Sequence, residues 1–305
     1  MAHILAINAS GRSKGFTAGV LDAAIKGMER VPGVAVEKVQ LHKYKFGPCT
    51  SCFNCIRNDP HECILKDDMG ADGELMARMK QTNGLFISDP VHCWGNSAAC
   101  HLFIERLYPF LWNGELDGMP FASASCASNQ GMQRLANANL CKWAFTYGMR
   151  YQGGLPIHTT YLERAHHEVE QIGRRLGEAA VADEKGREKF PDPDRYRDYL
   201  DKPWSVLEPY LDNLTNGTMT FEGSLMAEGL TTFKRDQAIE VLKEASEVFQ
   251  EALKLYGDGR IEDACGTLSQ ASALWTQATW KEFLETDVIK SAKPAAYRPV
   301  DGQSG

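Results

Sequence analysis

The sequence lacks several features that would place it in a common class. No apolar run approaches the length of a membrane-spanning helix, and no secretory leader precedes the first apolar strand, so we expect a cytoplasmic protein. Basic residues are not in excess, since 33 lysines and arginines stand against 40 aspartates and glutamates, a net charge of -7. We therefore expect neither nucleic acid nor a membrane surface as a partner.

Two nucleotide-binding motifs are also missing. The loop after the first apolar run contains neither the GxGxxG fingerprint nor the G-K-[ST] ending of a Walker loop. It reads SGRSKGFT, residues 10–17, and leads into a segment with apolar residues at helical spacing. A strand, a hydroxyl-rich loop and a helix start form an anion site, because free backbone N–H groups and the positive dipole end meet there. An ordinary capped turn would explain the same residues.

Cysteine is concentrated in one place. Four of the nine cysteines fall within GPCTSCFNCIRNDPHECILKDDM, residues 47–69. They are Cys49, Cys52, Cys55 and Cys63. A C-x2-C-x2-C run can supply three thiolates to one cubane cluster, whereas structural zinc more often uses two separated C-x2-C pairs. A [4Fe–4S] cluster, a zinc ion and an empty reduced loop all remain open, and a disulfide framework fits poorly with an odd number of cysteines.

Short apolar strands alternate with helical segments over the first 185 residues. We expect strands at residues 3–9, 34–41, 84–90, 118–126 and 149–160, and after the third strand a helix that opens within 91–100 and runs to residue 112. This alternation predicts an α/β fold, a flavodoxin-like doubly wound parallel sheet of five strands. Ligands of such sheets bind outside the carboxyl ends of the strands, so the 10–17 loop and the cysteine loop should share one edge.

The composition changes after residue 185. We predict a flavodoxin-like domain (1–185), an extended arm rich in proline and aromatics (186–222), a helical hairpin (223–290) and a disordered tail (291–305). The hairpin helices are expected at 231–255 and 260–284, with apolar residues at i, i+3, i+4 and i+7. Such a hairpin cannot bury its apolar stripe alone, so it should pack on the first domain or form an oligomer interface.

Three motifs follow the first three strands in order. They are S-x-R-x-x-G-x-T at residues 10–17, the cysteine run, and DPVHCWGN at residues 89–96. Together they resemble the iron–sulfur flavoprotein branch of the NADPH-dependent FMN reductase family, over about residues 1–180. The Asp-Asp-Met sequence at 67–69 fits the same pattern, and we expect Asp67 and Asp68 to cap the next helix.

The resemblance implies the cofactors, the partners and the residues that bind the flavin. It implies FMN, a [4Fe–4S] cluster on the four cysteines, a homo-oligomer (dimer or tetramer), and a ferredoxin-like donor or NAD(P)H. The phosphate loop would contribute Ser10, Arg12, Ser13, Phe16 and Thr17. The loop against the isoalloxazine ring would contribute Pro90, Val91, His92, Cys93, Trp94, Gly95 and Asn96. The segment that closes over the flavin from the opposite side would contribute Ser125, Ser128, Asn129 and Gly131.

Some residues of this chain fit the family's flavin-binding pattern, and others depart from it. Trp94 offers a stacking face, and backbone N–H groups beside it can bond the polar edge of a flavin. His92 stands where relatives usually carry Tyr, His101 where they carry Lys, and the usual paired glycines after the fourth strand are missing. His92 is the one candidate catalytic residue, because an imidazole can protonate a substrate or the flavin near neutral pH. A lone histidine is more often a structural hydrogen bonder.

The expected function is electron transfer by a flavoprotein oxidoreductase that couples one-electron and two-electron carriers through FMN and the cluster. The alternative is a cluster-free, NAD(P)H-dependent reductase of flavins, quinones or nitroaromatics. A third hypothesis is a binding or assembly protein, in which the helical hairpin docks a partner and the flavodoxin domain is a scaffold.

Overall fold

A computed structural model describes residues 1–127, 132–159, 162–187, 207–215, 217–279 and 281–282. The chain divides into two compact units, one ending at Glu188 and a second between Lys189 and Ala292. Most of the predicted arm and all of the predicted tail lie outside the described residues. In the described part of the chain, no helix has the length and apolarity needed to span a membrane.

The first unit is built on a parallel sheet. Its strands are β1 (Ala2–Asn8), β2 (Val34–Gln40), β3 (Gly84–His92), β5 (Pro120–Ala127) and β6 (Arg150–His158). They lie in the order β2-β1-β3-β5-β6, all parallel, which is the flavodoxin order. A short β4 (Gly95–Asn96) pairs antiparallel with the end of β3 and raises the strand count to six. The predicted fold is therefore confirmed.

Helices cover both faces of this sheet. They are α1 (Phe16–Glu29), α2 (Asn54–Arg57), α3 (Glu74–Lys80), α4 (Ala98–Arg106), α5 (Phe110–Asn113), α6 (Gln133–Thr146) and α7 (Leu162–Ala182). Helices α1 and α7 touch backbone to backbone, since a Cβ added to Gly27 would lie 1.9 Å from the Glu170 carbonyl oxygen. A Cβ added to Gly173 would lie 2.1 Å from the Ala24 carbonyl oxygen. Only glycine permits this approach.

One predicted helix of the first unit is wrong. The sequence after the third strand suggested a single helix opening at 91–100 and running to residue 112. Instead β3 continues to His92 and turns into β4, and α4 begins only at Ala98. The helix then ends at Arg106, and α5 starts after Pro109. Proline lacks an N–H and its ring clashes with the carbonyl one turn earlier, which explains the break.

The second unit contains α8 (Leu207–Leu214), α9 (Leu225–Thr232), α10 (Asp236–Gly257) and α11 (Ile261–Thr279). The predicted start of the first hairpin helix at 231 is wrong, because α9 ends there and an extended link separates it from α10. Backbone N–H groups of Lys234 and Arg235 in that link donate to the Glu282 carboxylate, each at 3.1 Å. Helix α10 buries an apolar stripe at helical spacing, namely Ala238, Leu242, Ala245, Phe249 and Ala252.

Candidate flavin and cluster site

The loop between β1 and α1 is held by side chains beneath it. The Gln40 amide, at the end of β2, donates to the Ser10 carbonyl oxygen. The Asn8 amide donates to the Gln40 side-chain oxygen at 2.7 Å and to the Arg12 carbonyl oxygen at 3.1 Å. The Arg12 backbone N–H donates to the Ser10 hydroxyl at 3.2 Å. This network fixes the backbone of the loop before any ligand binds.

The start of α1 suits an anion. Its N-cap, Gly15, makes no side-chain capping bond, and the first turn contains no acidic residue. The first N–H groups of the helix are therefore available to an anionic ligand, where the helix dipole favours negative charge. Of the predicted phosphate-binding residues, Arg12 and Ser13 are exposed and Phe16 is half-buried. Ser10 and Thr17 are buried.

The loop predicted to face the isoalloxazine ring is a tight β3–β4 hairpin. His92 pairs with Gly95, and Cys93 and Trp94 form a two-residue turn with φ values of 48° and 68°. Positive φ at both turn residues matches the twist of a hairpin but strains side chains other than glycine. Trp94 is 55 % exposed. His92 and Cys93 are also exposed, so the turn presents three reactive or aromatic side chains at the sheet edge.

Asp89 lies fully buried beneath this hairpin. Its carboxylate accepts hydrogen bonds from the Ser97 hydroxyl at 2.6 Å, the Ser97 N–H at 3.1 Å and the Asn96 amide at 2.9 Å. Burial raises the pKa of Asp89 to about 6, although these hydrogen bonds act in the opposite direction. The Ser97 hydroxyl also caps α4 by accepting from the Cys100 N–H at 3.2 Å. Asp89 thus joins β3, the hairpin and α4.

The opposite side of the predicted flavin site is described only in part. Ser125 lies in β5 beside Asp89, and its hydroxyl is buried without a hydrogen-bond partner among the described residues. Ser128, Asn129 and Gly131 lie outside the described residues. The amide nitrogen of Asn96, from the hairpin, donates to the Ala136 carbonyl oxygen of α6 at 3.1 Å, which ties the hairpin to that helix.

The four clustered cysteines line a single cavity of about 220 Å³. Cys52 and Cys55 are buried, Cys49 and Cys63 are half-buried, and all four are free thiols. The chain between them turns sharply, with positive φ at Ser51 and Phe53. Tyr108 and Pro109 complete the apolar wall. The four cysteines of this loop thus lie around one space.

Electrostatics in the cavity oppose four bare thiolates. Burial, followed by interaction with the other three thiols, raises the pKa of Cys55 to about 12. Burial also raises the pKa of Cys49. Burial acts upward on Cys52 as well, but hydrogen bonds, the largest from Asn54, outweigh it and lower its pKa. A thiolate set that repels itself is stabilised by a positively charged metal group.

The donor set fits an iron–sulfur cluster, which takes four thiolates. In the described part of the chain, no group of three or more His, Cys, Asp or Glu side chains has the spacing for a single metal ion. A backbone N–H from Ser51 reaches the Cys49 sulfur at 3.4 Å. Hydrogen bonds to the sulfurs are a standard feature of cluster sites.

Arg106, at the end of α4, is buried against the cysteine loop and was not predicted as a site residue. Its guanidinium donates to both carboxylate oxygens of Asp67, at 2.7 and 2.8 Å, and to the Gly47 carbonyl oxygen at 2.7 Å. It also donates to the Cys63 sulfur at 3.4 Å. Burial acts to lower the pKa of Arg106. The hydrogen bond to Asp67, together with the interaction with Cys63, outweighs burial, so the pKa is raised.

The prediction that Asp67 and Asp68 cap a helix is wrong. The N-cap of α3 is Gly73, and Asp67 instead pairs with Arg106. The Asp68 carboxylate accepts from the Lys45 N–H, and only the Asp68 backbone carbonyl oxygen reaches α3, where it accepts from the Leu75 and Met76 N–H groups. Arg106 and Asp67 are 39 residues apart, and no local pattern in the sequence marks their pairing.

Helix α4 joins the hairpin to the cysteine cavity. Ser97 at its start bonds Asp89, while at its end Glu105 accepts from the Cys49 N–H at 2.7 Å and Arg106 reaches Cys63. Nine residue steps of 1.5 Å place the two ends about 14 Å apart. Both predicted sites are therefore fixed to one short helix.

Known proteins share parts of this chain. The sequence profile of the NADPH-dependent FMN reductase family matches residues 2–156. An iron–sulfur flavoprotein from Archaeoglobus fulgidus is 33% identical over 101 residues, which are 33% of this chain and 43% of that protein. An iron–sulfur flavoprotein from Methanocaldococcus jannaschii is 26% identical over 106 residues, 35% and 52% of the two chains. The chain spans about half the length of these curated relatives.

Two solved structures also superpose on part of this chain. A flavone reductase superposes with a TM-score of 0.45 at 19% identity, covering 61% of this chain and 65% of its own. An azoreductase from Bacillus anthracis gives 0.43 at 15% identity, covering 61% and 100%. The family match extends over half of the 305 residues, from β1 into β6. The chain therefore belongs to the NADPH-dependent FMN reductase family of flavin-dependent oxidoreductases.

Proposed function

We propose that this protein is an electron-transfer flavoprotein that uses FMN and a [4Fe–4S] cluster to couple one-electron and two-electron carriers. The observation that carries the proposal is the single cavity lined by Cys49, Cys52, Cys55 and Cys63. It belongs to a chain of the FMN reductase family whose curated relatives above are named iron–sulfur flavoproteins. Strand β2, from whose end the cysteine loop leaves, adjoins β1, from whose end the phosphate loop leaves.

The chain's own residues divide the binding of FMN between two loops. The 10–17 loop, fixed from below by Asn8 and Gln40, would bind the phosphate through backbone N–H groups at the start of α1. The β3–β4 hairpin would orient the ring system, with Trp94 as the stacking surface. Ser125 has a buried hydroxyl without a partner among the described residues, and it could meet the ligand from β5. His92 is the proposed proton donor.

The cysteine loop would hold the cluster, which supplies one-electron chemistry when bound. Tyr108 and Pro109 line the same space and restrict the access of water. Burial raises the pKa of Tyr108 to about 12, and the neighbouring cysteines act in the same direction, so its phenol stays protonated and adds no charge. We also propose a homo-oligomer, a dimer or tetramer, with a ferredoxin-like protein or NAD(P)H as the electron donor.

A cluster-free reductase is the second candidate, and one observation favours it. Because burial raises the pKa of Cys49, and that of Cys55 to about 12, these thiols would stay protonated without a cation and would line an apolar pocket wall. Such a pocket beside a flavin would suit a quinone or nitroaromatic substrate with NAD(P)H as the donor.

Anaerobic purification followed by reconstitution with iron and sulfide separates these candidates. We expect FMN together with about four iron and four sulfide per chain and a broad absorption band in the visible blue. Bound FMN without iron or labile sulfide after reconstitution would leave the cluster-free reductase as the function. Zinc in place of iron would indicate that the four cysteines form a structural zinc site. Protein that takes up neither FMN nor iron would contradict both enzyme candidates.

A further inference from the structure

The contact between Arg106 and Cys63 connects a buried charge to a proposed cluster ligand. We propose that Arg106 is a positioning residue of the cluster site, which fixes Cys63 and favours the reduced form of the cluster through a partly buried N–H···S hydrogen bond. The inference rests on the proposed function, because it assigns a role toward the cluster. It concerns only residues of this chain.

The geometry of Arg106 leaves little freedom. The side chain is 2 % exposed, and its Nη1 atom bonds both Asp67 and the Gly47 carbonyl oxygen. The Nη2 atom bonds the other Asp67 oxygen and the Cys63 sulfur. The guanidinium is planar and its N–H groups form a rigid fork, so the carboxylate pair determines where the remaining N–H points. Asp67 thereby aims one donor of Arg106 at Cys63.

The same geometry gives the electrostatic direction. Adding an electron makes a cluster more negative, and an N–H donor at a ligand sulfur stabilises that negative charge. At a partly buried sulfur, solvent and salt screen such an interaction less than they do at the protein surface. Removing the Arg106 donor should therefore lower the reduction potential of the cluster. It should also loosen Cys63, which sits at the far end of the loop from the other three cysteines.

Two variants avoid leaving an unpaired charge in the interior. Arg106→Lys keeps the positive charge for Asp67 but lacks the fork that reaches Asp67, Gly47 and Cys63 together. The double variant Asp67→Asn with Arg106→Gln removes both charges at once, since removal of either alone would strand the other in a buried place. The matched control is Arg150→Gln with Asp183→Asn, which removes a half-buried ion pair of the same unit.

The readouts are iron and FMN content, the rate at which a chelator removes iron, and the midpoint potential from a redox titration followed by electron paramagnetic resonance. We expect both Arg106 variants to keep FMN, to lose iron to the chelator about 10-fold faster than wild type, and to show a lower potential. A variant that keeps FMN but retains no iron after reconstitution also supports the inference. The Arg150 control should match wild type in every readout.

The results separate failure of this inference from failure of the proposed function. Wild-type protein without a cluster would overturn the proposed function. A loaded wild type with both Arg106 variants unchanged in chelation rate and potential would overturn the inference alone. Loss of FMN and of secondary structure in both variants would also overturn it, because Arg106 would then serve folding rather than the cluster.

Discussion

Asp89→Asn should change how the stability of the protein depends on pH. Burial raises the folded-state pKa of Asp89 from 3.8 to about 6, so the folded protein holds this proton to a higher pH than the unfolded chain does. The stabilisation from the bound proton is complete below the unfolded pKa and is lost as the pH rises through about 6. At about 1.4 kcal/mol per pKa unit, the loss amounts to about 3 kcal/mol by neutral pH.

The variant lacks this titration, so the difference between the two proteins isolates it. We expect the free energy of unfolding of Asp89→Asn, relative to wild type, to increase by about 2.5 kcal/mol between about pH 4 and about pH 7.5. Urea unfolding followed by circular dichroism, in matched samples, measures this difference, and the second unit contributes equally to both proteins.

The control for this prediction is Asp72→Asn, because Asp72 is exposed and its carboxylate stays hydrated in the folded protein. Its unfolding free energy relative to wild type should not depend on pH to a comparable extent. If the Asp89→Asn difference were constant across the same pH range, the reasoning that burial raises the pKa of Asp89 would be refuted.

Three further predictions concern the proposed ligands and the second unit. Cys52→Ser should remove iron but leave FMN, as measured by metal analysis and the flavin absorption band. Thr17→Ala should weaken FMN binding about fivefold, through the loss of one buried hydrogen-bond donor, without changing iron content, as measured by fluorescence titration. Leu242→Ala should lower the free energy of unfolding by about 2–5 kcal/mol, because it leaves a cavity under α10, as measured by urea unfolding.

Each of these three predictions has a matched control variant. Cys93→Ser, at the exposed hairpin turn, should retain iron, and equal iron in Cys52→Ser would show that the ligand assignment is wrong. Ser13→Ala removes an exposed hydroxyl. A larger loss of FMN affinity in this variant than in Thr17→Ala would contradict the proposed contact between the buried Thr17 hydroxyl and FMN. Leu225→Ala, at a side chain 39 % exposed, should cost less than the Leu242 change.

The sheet could be predicted from the sequence because buried parallel strands are short apolar runs. All five predicted strands form, with most ends within two residues of the prediction. The grouping of the four cysteines also followed from local spacing, since one loop carries them all. The break at Pro109 was visible in the sequence as well, but the apolar residues on either side favoured one continuous helix.

The remaining features depend on contacts that no local pattern contains. The Cys93-Trp94 turn has neither Asn-Gly nor Asp-Gly, the usual signal of a two-residue hairpin, so the sequence predicts the start of a helix there. Asp89 opens the DPVHCWGN motif, but no local pattern predicts that its carboxylate is buried against Ser97. The Arg106–Asp67 pair is created only when α4 packs on the cysteine loop, and long-range pairing of this kind is decided by the tertiary structure.

Helix α4 connects these unpredicted residues. Its first turn is capped by Ser97, which Asp89 holds against β3, and its last turn supplies Glu105 and Arg106 to the cysteine loop. A helix keeps its length because each backbone hydrogen bond supports the next, so the spacing of about 14 Å is set by residue count rather than by loop conformation. Inserting one helical turn would shift Glu105 and Arg106 about 5 Å along the helix axis relative to Ser97 and would break their hydrogen bonds to the cysteine loop. The nine residues of α4 thus connect the Asp89–Ser97 contact beneath the hairpin with the contacts that Glu105 and Arg106 make with the cysteine loop.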